Sequence, residues 1–526
     1  MMHSNWIVLK KGLSNTRMLK VWRWQRFYQC SILCVSLTLL CSTTLAQSPV
    51  DYDVIVVGAG GAGLAAATTV AEKGYSVIVL EKMPNIGGNT LRSGGYFNAV
   101  EPLSDSLKER VTDTSSSPLT WTQNPLPTVK KDSLNHYYRQ MIASGGGQNT
   151  PSVVRALVEH SAETLLWLQS LGLSFHQGTL EVYGGQWPRA HKPIEPRGQG
   201  YIRVLSAALL AHGGRIETEA NVKELLTNPS GRVTGVCVKR LTTPADLSCE
   251  PVYAKHAVVL ASGGFAASKT LLKRWAPQVI NLTTDNNPGN TGDMLLAAKA
   301  KGAALVNLDS VQVVPGNPLG QAFQVRLDID IARSILVDHE GKRFIDEDAP
   351  RDVLSQAIVS HQAAQTQEAS VFSITNQATV DTYDVVFQRD IYRGLETGAS
   401  FRANTIAELA RLIHVREATL ETTLANYNQS VVQKDGKCAR LVCQPLTQGP
   451  FWASPITMSI HSTLGGVAIT DKGEVLRPNG HIIPSLYAAG EVTGNVHGKN
   501  RLGGNGITDA ITYGRIVGGL ITKDSL

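Results

Sequence analysis

A glycine turn set between two apolar strands limits, more than any other feature, what this chain can fold into. Residues 53–57 are a short apolar, β-branched run that reads as a buried strand. The run breaks into Gly58, Gly60 and Gly63 at G-x-G-x-x-G spacing, with Gly61 and Ala62 between. A small-residue helix is predicted over residues 62–73, stopping at Gly74. A second apolar strand over 76–80 ends on Glu81. Gly58 permits the tight turn, Gly60 lets backbone approach a pyrophosphate, and Gly63 lets helix pack on strand. The helix N-terminus offers free N–H groups and a partial positive charge to the phosphates. Glu81 lies 18 residues past Gly63, where a carboxylate can accept hydrogen bonds from ribose hydroxyls. The unit predicts an α/β fold built on a Rossmann-like dinucleotide domain. It leaves FAD and NAD both open. Gly87, Gly88 and Asn89, then Ser93, Gly94 and Gly95, favour FAD, because they let backbone lie along a longer ligand.

At 526 residues the chain has room for two or more domains. Its formal charge of +6 comes from the first 50 residues, which hold six basic side chains and no acidic one. The remainder carries 43 basic against 43 acidic residues, which excludes a nucleic-acid footprint. The leader has a basic start, an apolar core over about 31–41 and small residues ending at Ala46. It reads as a signal peptide over 1–46 and so predicts an exported, periplasmic protein, an organelle transit peptide being the alternative. No later apolar run is long enough for a stable membrane span. Beyond the leader, Cys237 with Cys249 and Cys438 with Cys443 suggest two local disulfides, with four free thiols as the alternative. No Cys/His cluster has zinc spacing, and no C-x-x-C-H occurs for covalent haem.

Along the chain, helices are predicted near 132–144, 153–171 and 201–212, with a loop over 187–200. Strands over 215–239 turn at 228–231. Another strand over 256–264 ends in Gly263 and Gly264, which would face the cofactor, and NTGD at 290–293 opens a helix to Gly302. From Leu305 the texture changes to loops mixed with helical stretches at 406–413 and 416–427, with Thr405 and Glu408 as a helix cap. Residues 462–526 return to glycine-dense sequence. The expected organisation is a first FAD-binding part over 50–308, an inserted capping domain over 309–461 and a second FAD-binding part over 462–526.

Taken together, the N-terminal unit, ASGGF (261–265), NTGD, ILVDHEGKRFIDEDAPRD (335–352), IHSTLGG (460–466) and AAGEVTGNVHGKNRLGGN (488–505) resemble one family. It is the soluble fumarate reductase (flavocytochrome c) flavoprotein family of FAD-dependent fumarate, urocanate and related unsaturated-carboxylate reductases, and the resemblance covers residues 52–520. It implies a GR2-type FAD domain interrupted by an α+β clamp, with substrate held between them. In such enzymes flavin N5 passes hydride to one carbon of an activated C=C and an arginine, here Arg351, protonates the other. His461 and Arg501 would grip a substrate carboxylate, with Gln312 and Gly503 beside them. The resemblance extends the FAD contacts to Lys82, Thr90, Val222, Ser262 and Asp293, and, near the C-terminus, to Gly490, Glu491, Asn505, Gly506 and Ile507. A flavin-attachment motif is missed narrowly at 396–400 (ETGAS), so FAD is expected to be non-covalent. As a haem-free member the protein would take electrons from a separate donor.

The chemistry agrees with those roles. Reducing a C=C beside a carboxylate builds enolate charge, which fixed cations in a dry site stabilise, and arginine offers a carboxylate a planar fork. An arginine acid needs a dry site and rapid reprotonation, since its ordinary pKa exceeds about 12. Each residue has a plainer reading too: Arg351 in a surface pair with Glu347, Asp348 or Asp352, His461 as a core histidine, Arg501 as a phosphate contact. Fumarate reductases place His at the position of Val314, Thr-Glu at Arg326 and Leu327, and Arg at Asp330. The departures predict a substrate with one carboxylate and a far end that is apolar, aromatic or differently charged, bounded by Val314 and Leu327, with Arg326 or Asp328 as polar contacts. The proton route would run through Asp328, Asp330 or water. Two other functions stay open: a dehydrogenase or oxidase that introduces a C=C into an acid or steroid-like substrate, and a non-catalytic FAD-binding remnant.

Overall fold

Val54 to Val57 are all buried and all apolar, so their strand has no face to give to solvent and must lie inside a parallel sheet. In the computed structural model Tyr52–Val57 is flanked by parallel neighbours on both sides, Val77–Leu80 and Glu250–Leu260. The structure describes residues 51–114, 131–244, 247–318, 321, 323–347, 349–363, 371–433 and 443–521. The leader predicted over 1–46, and Cys438, lie outside them. The main sheet has eight strands. Its order runs Glu474–Leu476, Ile482–Ala488, Glu250–Leu260, Tyr52–Val57, Val77–Leu80, Arg215–Glu217, and the hairpin of Asn221–Thr227 and Val233–Lys239 branches from Glu250–Leu260. Val57, Leu80 and Leu260 end their strands at one edge, where α/β proteins of this kind take ligands.

The helix Gly61–Glu72 follows the first turn and packs on the helix Asn505–Leu520 from the other end of the chain. The contact is backbone-close: a Cβ on Gly514 would lie 2.3 Å from the Ala62 carbonyl oxygen, and one on Gly518 2.6 Å from that of Ala66. Helices Leu134–Ser144, Pro151–Ser170 and Gln199–Ala211 sit close to their predicted positions. The segment read as loop over 187–200 contains a short strand, Ala190–His191, paired with Phe97–Asn98. Cys237, in the strand Val233–Lys239, forms a disulfide with Cys249, just before the strand Glu250–Leu260, and Cys443 is disulfide-bonded.

Residues 309–461 hold more sheet than their sequence announces. Ile335–Asp338, Val371–Asn376, Phe451–Pro455 and Phe401–Ala403 form a four-stranded antiparallel sheet. Its apolar face packs on helices Ile406–Leu412 and Glu417–Gln433 around Leu409, Leu420 and Leu424, and Thr405 with Glu408 forms the capping box. A smaller sheet positions the site. Met458–Thr463 runs antiparallel to Val311–Pro315 and parallel to Thr283–Thr284, so His461, Gln312 and the residue after Thr284 become neighbours. No helix among the described residues is long and apolar enough to cross a membrane.

Candidate active site

One elongated cavity runs from the first glycine turn to the small sheet. Its nucleotide end is backbone. Gly58 has φ +106° and an added Cβ would sit 2.4 Å from the Ala261 carbonyl oxygen, so only glycine fits where the turn crosses the Glu250–Leu260 strand. A Cβ on Gly63 would lie 1.9 Å from Gly58 O, the helix-on-strand approach its spacing predicts. At Gly60 nothing comes nearer than 3.9 Å, and the helix behind it has no side-chain cap. Gly61 N–H donates to Thr90 Oγ1 (2.9 Å), and the next N–H groups with the positive dipole end are left for an anion.

Glu81 accepts from Ala59 N–H (2.8 Å) at Oε2 and from Met83 N–H (2.9 Å) at Oε1, leaving lone pairs for hydroxyl donors. The Ser262 hydroxyl, buried just past the strand Glu250–Leu260, has no partner among the described residues. A helix start with open N–H groups, an acid fixed by main chain and an orphaned buried hydroxyl are donors and acceptors of the kind that a dinucleotide's phosphates and ribose take. Glu491 ties the walls together, accepting from Asn89, Asn290 and both the N–H and hydroxyl of Thr463. Of the expected cofactor residues, Gly58, Gly60, Gly61, Ala62, Glu81, Lys82, Gly88, Asn89, Thr90, Ser93, Gly94, Gly95, Val222, Ser262, Gly263, Asp293, Glu491, Gly506 and Ile507 line the cavity. Gly63, Gly87, Gly264, Gly490 and Asn505 do not. They stand behind the wall: Gly264 gives way to Thr463, Gly490 to Ala62, and the Asn505 side chain accepts from Asn98 and Tyr137.

The substrate end is made of side chains. Arg351 opens the helix Arg351–Ala363 and is buried, against the surface pairing its acidic neighbours allowed. Its Nε donates to Tyr183 O (3.0 Å) and one terminal nitrogen to Gln312 Oε1 (2.8 Å), both uncharged acceptors. Arg501 is also buried, and its Nε has no partner among the described residues. Among the described residues no carboxylate pairs with either guanidinium. Burial and the adjacent Arg501 charge bring Arg351 down to about 9, and burial lowers Arg501 as well. Two buried cations side by side, with no carboxylate in direct contact, are costly unless an anion joins them. His461 faces the same space, with Nδ1 3.1 Å from Asp285 Oδ2. Burial pulls its pKa below the usual range, while Asp285 acts in the opposite sense.

Several expected contacts move behind the wall. Gln312 reaches no cavity surface, because it accepts from Arg351 and donates to Asn500 Oδ1 (3.1 Å) and Arg501 O (2.8 Å). It braces both arginines from behind the cavity wall. Gly503 spends its N–H on Gly184 O (2.8 Å), and a Cβ there would meet Tyr183 O at 2.4 Å. Arg326 lines the cavity, but its Nε and a terminal nitrogen are locked on both oxygens of Asp328 at 2.8 and 2.7 Å. Asp328 is thereby consumed and lies outside the lining. Asp330 caps its own turn at Ala332 N–H (3.1 Å), so neither acid bonds Arg351. Leu327 turns into a separate apolar cluster with Phe323 and Phe387, whereas Val314 does line the cavity.

Sequence reasoning missed the rest of this end: Asp285 and Gln324, and the apolar wall of Val182, Tyr183, Ile329, Phe387 and Tyr96. One signal was available. Gly184, in a Tyr-Gly-Gly run, has a Cβ position only 2.3 Å from Arg351 Cγ, so the glycine makes way for the arginine.

The family model described as "FAD binding domain" matches residues 53–125 and 116–507. An NADH:acrylate oxidoreductase of Vibrio harveyi is 34% identical over 510 residues, covering 89% of this chain. The chain spans about half, 50%, of that protein's length. A fumarate reductase (cytochrome) of Shewanella frigidimarina is 32% identical over 484 residues, covering 90% of this chain and 78% of that protein. Among solved structures, the open conformation of a flavocytochrome c3 fumarate reductase superposes with TM-score 0.64 at 29% identity, covering 90% of this chain and 78% of that one.

Proposed function

This chain belongs to the FAD binding domain family, and from that premise we propose that it reduces the C=C of an α,β-unsaturated carboxylate with FAD, held non-covalently, as the redox cofactor. The observation that carries this reading is the meeting of two buried arginines, neither in contact with a carboxylate, with a histidine at one end of the dinucleotide cavity. Bound FAD would supply the hydride. The protein's part is to hold and polarise the acid. Arg501 and His461 take the carboxylate, and as negative charge moves onto it the dry cationic site favours the transition state over the ground state. Arg351, with its pKa brought down to about 9, delivers the proton to the other carbon. Its own partners, a main-chain carbonyl and an amide oxygen, are not acids, so reprotonation falls to water.

In the same reading residues 309–461 cap an FAD domain made of 50–308 and 462–526, a division supported by the separate four-stranded sheet and its own apolar cluster. The absence of a C-x-x-C-H motif in the sequence points to a separate electron donor, and the leader to export into the periplasm. The test is anaerobic. The bound flavin is reduced and then offered acrylate, cinnamate, urocanate and fumarate in turn. At least one acid should restore the yellow colour. Failure of all four, with peroxide released from a saturated acid or a steroid instead, would reverse the assigned direction.

A further inference from the structure

His461 is held from behind by a carboxylate that is itself fixed on several sides. Asp285 is 5% exposed. Its Oδ2 accepts from Gln324 Nε2 (3.2 Å) as well as facing His461 Nδ1, its Oδ1 accepts from Asn286 Nδ2 (3.3 Å), and its backbone carbonyl accepts from Arg92 (3.2 Å). The pairing of Thr284 with Ile460 sets the two side chains on neighbouring strands. No described group bonds His461 Nε2, and the 25% of the side chain that remains exposed belongs to a residue of the cavity wall.

A neutral imidazole donating Nδ1–H to Asp285 presents Nε2 as an acceptor. An acceptor repels a carboxylate. To grip one, Nε2 must carry a proton too, and the ring becomes an imidazolium between two acids. In the free site burial, Arg501 and Arg351 hold the imidazole below its usual 6.5 against the pull of Asp285, so at neutral pH it is mostly uncharged. The charged groups that face it are Asp285 from the segment after Thr284, Arg351 from its helix and Arg501 from the C-terminal loop. Glu491 bears on the adjoining Thr463 and Arg92 on Asp285. An arriving anion shifts the balance toward the cation.

We propose that Asp285 makes His461 a proton-coupled carboxylate receptor: one proton from solvent is taken up at Nε2 for each carboxylate bound, while Asp285 accepts Nδ1–H. Asp285 is a positioning residue in this scheme, and the inference rests on the reading of the cavity as a carboxylate site. Between the free and bound pKa values of the ring, binding weakens about tenfold per pH unit as pH rises; below the free value it is level.

The oxidised holoenzyme is titrated with acrylate, cinnamate and fumarate, following the flavin spectrum from about pH 6.5 to 8, and proton uptake is read with an indicator in weakly buffered solution. The wild type should take up close to one proton per site. Asp285→Asn should lose that uptake and bind about tenfold more weakly at the acid end of the range, with flavin content unchanged. Asp285→Glu should restore part of it. Binding to wild type without uptake, or uptake that survives His461→Gln, overturns the proposal. If Asp285→Asn does not retain flavin, the wild-type and His461→Gln measurements still decide. Failure of all three acids to bind would instead overturn the carboxylate reading beneath it.

Discussion

At the nucleotide end of the cavity the ligand-facing groups are mostly main chain, whereas at the substrate end they are side chains. The first end is glycine backbone, a helix start with only its first N–H taken by Thr90, and an acid pinned by two N–H groups. The second is Arg351, Arg501 and His461, delivered by a helix start, a loop and a strand and braced by Gln312 and Asp285. Main-chain donors survive almost any substitution that leaves the turn in place, so the cofactor end tolerates little change of shape and much change of sequence elsewhere. Side-chain donors can be exchanged one at a time. In the proposed reading the same frame can thus keep its cofactor while single residues alter which acid is accepted.

The largest effect should come from breaking the first end. Gly63→Ala puts a Cβ 1.9 Å from Gly58 O, where backbone and not a flexible side chain must yield. A cost of about 3 kcal/mol and loss of bound flavin are expected, read from the flavin-to-protein ratio and the melting temperature. An unchanged ratio would show that the helix-on-strand approach is not needed.

Breaking the second end should leave flavin in place. Arg351→Lys keeps charge but not the fork shared by Tyr183 O and Gln312, and flavin reoxidation by an unsaturated acid should fall about a thousandfold. In the wild type the donor must be the charged form, which is present below about 9, so the rate should decline as pH rises through that value. A rate that stays level a full unit higher removes Arg351 as the acid.

The smallest of the three sharpens the contrast within the substrate end. Asp328→Asn releases Arg326 from a two-oxygen lock and exposes a third cation to the cavity. Preference for fumarate over acrylate should rise about tenfold, roughly 1.4 kcal/mol. A fall in that ratio would mean that Arg326 does not face the far end of the bound acid.

The two ends also differ in how far they could be read beforehand. The strand–turn–helix–strand–acid unit is local, and glycine spacing states its geometry outright; Tyr52–Val57, Gly61–Glu72 and Val77–Leu80 fall within a residue or two of their expected bounds. Arg351, His461 and Arg501 emerged only from a whole-chain resemblance, and the structure does bring them to one cavity. Their supports did not emerge. Asp285 meets His461 through a two-residue strand, Thr283–Thr284, far too short to leave a periodic signal. Leu327 and Val314 look equivalent as letters, yet one enters an apolar cluster and the other the cavity wall. The four-stranded sheet was missed because its strands are separated by helices and two of them, Ile335–Asp338 and Val371–Asn376, are buried on both faces, with none of the alternation that marks a half-exposed strand.

The glycine seam between the helices Gly61–Glu72 and Asn505–Leu520 has a consequence for timing. Because the first turn is closed over by residues near 490 and 505, a nascent chain that has already made its phosphate loop has not yet made a cradle. Flavin capture must wait until the segment around 490–505 has been made, and until then the helix Gly61–Glu72 lacks the partner helix Asn505–Leu520 that covers its glycine seam.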